Sequence, residues 1–82
     1  LKVFPNPFTS DVTFILTDRG VAFTTLTVYD NMGRVVSASE YRNIFPGELT
    51  VPLAGLAPGI YHYGLRADSV FYSGTLVKID RK

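Results

Sequence analysis

Apolar and polar residues alternate with a period of two along most of this chain, the pattern of strands that bury one face. Val12, Phe14 and Leu16 alternate with Thr13, Ile15 and Thr17; Thr25, Thr27 and Tyr29 alternate with Leu26 and Val28. Leu49, Val51 and Leu53 alternate with Glu48, Thr50 and Pro52, a strand with one wet face. Tyr61, Tyr63 and Leu65 alternate with His62, Gly64 and Arg66. Phe71, Ser73, Thr75, Val77 and Ile79 alternate with Tyr72, Gly74, Leu76 and Lys78. Nowhere do apolar residues recur at spacings of three and four over ten positions, so no substantial helix is expected.

Breakers fall between these runs. Pro5-Asn6-Pro7 forbids regular helix and makes the first strand short. Asp18-Arg19-Gly20 is a turn sequence, and Asp30-Asn31-Met32-Gly33 closes a hairpin into Arg34-Val35-Val36. Phe45-Pro46-Gly47 ends another stretch, the segment from Ala54 to Gly59 is a wider crossing, and Ala67-Asp68-Ser69 is a tight return. The pattern predicts seven strands, at about 1–4, 11–17, 22–29, 34–41, 48–53, 60–67 and 71–79. Seven short antiparallel strands in 82 residues fit an all-β, Ig-like two-sheet sandwich, with an open-edged five- or six-strand barrel as the other architecture. Leu56-x-x-Gly59-x-Tyr61 favours the sandwich. It stands just before the sixth strand, where Ig-like domains place a tyrosine corner, with Gly59 in the turn and the Tyr61 hydroxyl bonded to upstream backbone.

Composition then narrows the function. The chain is 46% hydrophobic and 18% charged, too apolar for intrinsic disorder. A formal charge of +1 argues against a nucleic-acid binder. No run approaches the ~18–20 apolar residues of a membrane helix, and a spanning barrel would need more strand than this chain holds. Without cysteine there is no disulfide, thiolate metal site or thiol nucleophile. The core must therefore rest on packing, for which six Phe and five Tyr are available.

Reactive chemistry is not legible. His62 is the only histidine, which excludes metal sites needing several nitrogen or sulfur ligands. A Ser–His–Asp triad lacks a Gly-x-Ser-x-Gly elbow, and His62 alternates onto the face opposite Tyr61 and Tyr63, a solvated one. The carboxylates are scattered at strand ends without calcium-loop spacing, and no phosphate cradle occurs, so no cofactor is expected. Tyr41, Phe45, Phe71 and Tyr72 are the aromatics expected to stay partly exposed, and core filling explains them better than a sugar- or base-stacking platform. The end of the chain differs. Lys78, Arg81 and Lys82 against Asp80 give a local excess of two positive charges in five residues. A solubilised strand end accounts for this, and so does a terminal strand offered to a partner by main-chain pairing. Pairing of an exposed edge with a second copy of the chain is also left open by the sequence.

Several segments, in order, resemble the C-terminal sorting domains of type IX secretion system cargo from Gram-negative bacteria of the Bacteroidetes kind. Val3-Phe4-Pro5-Asn6-Pro7-Phe8 is similar to the family's Pro-Asn-Pro opening, followed by Val12-Thr13-Phe14 as the next strand. The stretch from Val28 to Val36, with Asp30, Gly33 and Arg34, resembles its tyrosine–aspartate–glycine–basic hairpin. Leu53 to Tyr61 resembles its leucine-rich approach to Gly-x-Tyr, and Ser73 to Lys78 its closing strand. Thr75 stands where the family often has a basic residue.

The resemblance implies a non-catalytic address that directs its parent protein through the outer membrane to the cell surface or medium, after passage through the periplasm. It implies as partners the outer-membrane secretion apparatus, a signal-removing cysteine peptidase acting upstream of Leu1, and an upstream cargo domain. It assigns Pro5, Asn6, Pro7, Gly33, Gly59 and Tyr61 to architecture. Leu76, Val77, Lys78, Arg81 and Lys82 become candidate residues for recognition. On this expectation residues 1–82 are a single sorting domain, a fragment ending at the C-terminus of a larger secreted protein. An Ig-like spacer, a flagellar-hook-cap-like domain or an accessory carbohydrate-binding module is the alternative for the same fold.

Overall fold

In a computed structural model, residues 1–16, 21–44 and 47–80 are described. They form seven strands: β1 (Lys2–Phe4), β2 (Asp11–Ile15), β3 (Val21–Tyr29), β4 (Val35–Ile44), β5 (Glu48–Pro52), β6 (Gly59–Ala67) and β7 (Val70–Lys78). Two antiparallel sheets result, one of order β1-β2-β5 and one of order β4-β3-β6-β7. There is no helix among the described residues, and the arrangement is the sandwich consistent with an Ig-like fold. The expected Asp18-Arg19-Gly20 turn lies outside the described residues, as do Phe45 and Pro46 of the next one.

The alternation read along the chain becomes the two inner faces. Val12, Phe14 and Leu16 from β2 and its end, with Leu49, Val51 and Leu53 from β5 and its end, line the smaller sheet. Leu26 and Val28 of β3 and Tyr61, Tyr63 and Leu65 of β6 line the larger one. All are buried, because each sheet can remove its apolar side from water only against the other. Phe14 and Tyr63 meet across the gap edge to face, with ring centroids 5.2 Å apart and planes at 77°. Tyr63 lies directly opposite Gly74 in the β6–β7 ladder, and a Cβ at Gly74 would stand 2.6 Å from the Tyr63 hydroxyl. Glycine there is the seat of that ring.

Turns close the ladders with side-chain acceptors. In the β3–β4 hairpin the Asp30 carboxylate accepts the Met32 and Arg34 N–H groups at 2.9 Å each and pairs with the Arg34 guanidinium at 2.9 Å. Gly33 takes a left-handed φ of 85°, which the tight return needs. The Arg34 N–H bond is the main reason the Asp30 carboxyl titrates below its ordinary value. Asp68, in the β6–β7 turn, accepts from the N–H groups of Ala22 and Phe23 and so fixes the start of β3.

β4 is longer than its sequence pattern predicts, running to Ile44 rather than stopping near 41. Arg42 pairs with Phe23 in register, its guanidinium 5.0 Å from the Phe23 ring centroid, so cross-strand stacking carries the strand through a polar stretch. Ahead of β6, the buried Tyr61 donates its hydroxyl to the Ala57 carbonyl at 2.6 Å, the back-bond of a tyrosine corner. Tyr61→Phe removes only that bond. It is expected to lower unfolding free energy by about 1 kcal/mol in urea titration while the m-value is unchanged.

Candidate recognition surface

The candidate residues lie on β7 and just beyond it, so the surroundings of that strand decide what each can offer. β7 is an edge strand of the larger sheet, paired with β6 from Gly59↔Lys78 to Ala67↔Val70. Because Tyr61, Tyr63 and Leu65 point inward, the register turns Leu76, Gly74 and Tyr72 inward too. The fourth inward-facing residue of β7 is Lys78, and this corrects the expectation of a solvated basic strand end. Lys78 is only 6% exposed, its stem lies inside the end of the sandwich, and its Nζ donates to the Ile79 carbonyl at 3.4 Å. The more apolar set of this strand is the outward one: Phe71 is 62% exposed, and Ile79, just beyond the strand, is 44% exposed.

The outer main-chain edge of β7 is occupied over its second half. Asn6 presents its side-chain amide there as a peptide group would: Nδ2 donates to the Thr75 carbonyl at 2.9 Å, and the Val77 N–H donates to Oδ1 at 3.0 Å. The main chain of Phe8 continues the pairing. Its N–H donates to the Val77 carbonyl at 2.8 Å and its carbonyl accepts the Ile79 N–H at 2.9 Å. The Phe8 side chain, 1% exposed, is part of the core between the sheets. Residues 6–8 are therefore a clamp on the closing strand, and the main chain from Thr75 to Ile79 is not an open edge for a partner strand. Sequence reasoning took Pro5-Asn6-Pro7 as an element limiting the first strand and missed this role. A non-periodic Phe after two prolines, behind an Asn with both a donor and an acceptor, was the available signal.

Of the five candidate recognition residues, Leu76 is fully buried, Val77 is half-buried and Lys78 is buried. Arg81 and Lys82 lie outside the described residues. Among the architectural candidates, Pro5, Asn6 and Pro7 are exposed around the clamp, Gly33 sits in the hairpin turn, and Gly59 opens β6 opposite Lys78.

The chemistry elsewhere is sparse. His62 is exposed, with Nε2 3.3 Å from Asn31 Oδ1 and Nδ1 3.5 Å from Thr75 Oγ1, a bracket between the hairpin and β7 rather than a serine–carboxylate pair. Phe71 lies on the outer face over Gly64, while Tyr41 and Tyr72 pack against the core rim, so these aromatics do not gather into one platform. Phe45 is outside the described residues. Burial pushes the Tyr63 hydroxyl above the ordinary tyrosine range.

Among known families, the model described as secretion system C-terminal sorting domain matches residues 2–79. No curated protein matches the chain.

Two expectations follow from the geometry. Asn6→Ala should cost about 1–2 kcal/mol through two lost hydrogen bonds. Hydrogen exchange should show the Val77 amide losing protection while the amides of β7 that face β6 keep theirs. Lys78→Ala should destabilise by about 1–3 kcal/mol through lost packing of its stem, whereas Lys78→Met should stay within about 1 kcal/mol of the parent. Urea midpoints distinguish the two, and equal effects would mean that the charge, not the stem, holds Lys78 in place.

Proposed function

This chain belongs to the secretion-system C-terminal sorting domains, and from that premise we propose how its closing strand serves as an address. A domain of this family is a sorting signal for the type IX secretion system, and its interaction with that system directs export to the cell surface or medium. The signal lies in the side chains that β7 turns outward and in the residues that follow it. Val77, Arg81 and Lys82 make direct contact with the machinery. Leu76 and Lys78 act from within, as anchors that hold the strand end in one place. Main-chain pairing at residues 75–79 is not the mode of recognition, since Asn6 and Phe8 already occupy that edge.

On this reading the chain performs no catalysis of its own, passes through the periplasm in transit, and is a single domain joined to an upstream cargo. It is removed by a signal-cleaving cysteine peptidase acting ahead of Leu1. An unclamped edge would also let it pair with a second copy. The observation that carries the proposal is the family match over residues 2–79 together with a strand end that the fold immobilises from both sides.

A reporter fused to residues 1–82 and expressed in a host with this secretion system tests the assignment. Export should be lost when residues after Gly74 are deleted. It should fall when Arg81 and Lys82 are changed together to Ala, with the urea midpoint of each protein measured alongside so that loss of the signal is told apart from loss of the fold. Lys78→Met, which keeps the anchor and removes the charge, should retain export. Unchanged export after the truncation would overturn the proposal.

A further inference from the structure

The two sheets have four edges, and they are not equally open. β1 is three residues long, β5 is five and ends in Pro52, and β7 is clamped over its second half by Asn6 and Phe8. β4 is ten residues long and forms the other edge of the larger sheet. Its free main-chain groups can be assigned. Phe23 directs its N–H and carbonyl towards Asp68, at 3.1 and 2.9 Å, on the β6 side of β3. Alternation along β3 turns the groups of Thr24 and Leu26 towards β4, where their partners are Tyr41 and Ser39. The main-chain groups of Ala38, Glu40 and Arg42 therefore face outward along the edge.

Exposed edges are commonly guarded by charges, and a guard of one sign also repels another copy of the same strand. Here the guard has both signs. Glu40 and Arg42 flank Tyr41 on the outer face, exposed, and no ion pair within the chain involves either of them among the described residues. The Phe23 ring under its guanidinium holds Arg42 on that face. A charge pattern antisymmetric about one residue becomes complementary when a two-fold axis passes through that residue.

We propose that β4 pairs antiparallel with β4 of a second copy, with the two-fold at Tyr41, so that Glu40 of each chain lies opposite Arg42 of the other. The outward main-chain groups of these two residues then exchange hydrogen bonds, and two cross-strand ion pairs form on the outer face. The half-buried Tyr41 meets its own copy on the inner side, joining two four-stranded sheets into one. Asn43 takes a left-handed φ of 57° immediately after Arg42, which bends the edge and confines the pairing to its centre. The contact is smaller than the ~800 Å² per partner of a standard interface, so the dimer is concentration-dependent. It stands independently of the sorting role.

Sedimentation equilibrium on the 82-residue chain, up to about 1 mM, tests this. The weight-average mass should rise from 9.1 kDa towards twice that value. Glu40→Arg and Arg42→Glu should each raise the dimer dissociation constant at least about tenfold, since like charges then face each other. The double exchange should bring it back to within about threefold of the parent. A second measurement needs no substitution: salt raised from about 0.05 to 0.5 M should weaken the parent dimer. A parent chain that stays monomeric throughout, a dimer indifferent to salt, or a double exchange no better than the singles overturns the proposal.

Discussion

The fold depends on a contact between its two ends. Asn6 and Phe8 bond to Thr75, Val77 and Ile79, and the Phe8 side chain fills the core between the sheets. An edge strand paired on one side only is held least at its last residues, where fraying is easiest. The clamp supplies the missing side with three residues. It does so by letting an amide side chain stand in for a peptide group where prolines on either side have no N–H to give. The anchoring of Leu76 and the burial of the Lys78 stem follow from a strand end held in this way.

A sorting domain has to present the same surface whatever protein precedes it. On the proposed reading the address is built on a fixed strand, which meets that need because preorganised groups lose little entropy when they are bound. The sandwich supplies the fixation through general means: opposed inner faces, the Phe14–Tyr63 contact and the Tyr61 back-bond. On that reading, architecture and recognition compete for the same groups at the β7 edge. Main-chain donors and acceptors used to hold the strand are no longer available to a partner, and side chains are what is left to read.

The two faces of β7 show where pattern and structure part. By hydropathy, Phe71 and Val77 outrank Gly74 and Lys78 as core residues, yet the structure turns the second pair inward, half-burying Gly74 and burying Lys78. Register explains it: β6 carries Tyr61, Tyr63 and Leu65 on one side, and an antiparallel neighbour must present opposing positions to the same side. A tyrosine over Gly74 then fills the space that a larger residue on β7 would have taken. The extension of β4 through Arg42 has the same kind of origin, a cross-strand aromatic that no window along one strand contains.

What the sequence by itself determined was local and periodic. The seven strands, their alternation, the Asp30–Gly33 hairpin and the approach to Tyr61 are set by residues within a few positions of one another, through backbone preferences and the two-residue repeat. Ordered motifs along the chain were also enough to indicate the family. Tertiary structure alone decided which face of β7 is buried, where the Lys78 charge emerges, and that the chain's opening residues close the edge of its last strand. Those outcomes join positions about seventy residues apart, as Asn6 and Val77 are. They are fixed by packing volume and hydrogen-bond satisfaction in three dimensions, for which no short stretch of sequence carries the information.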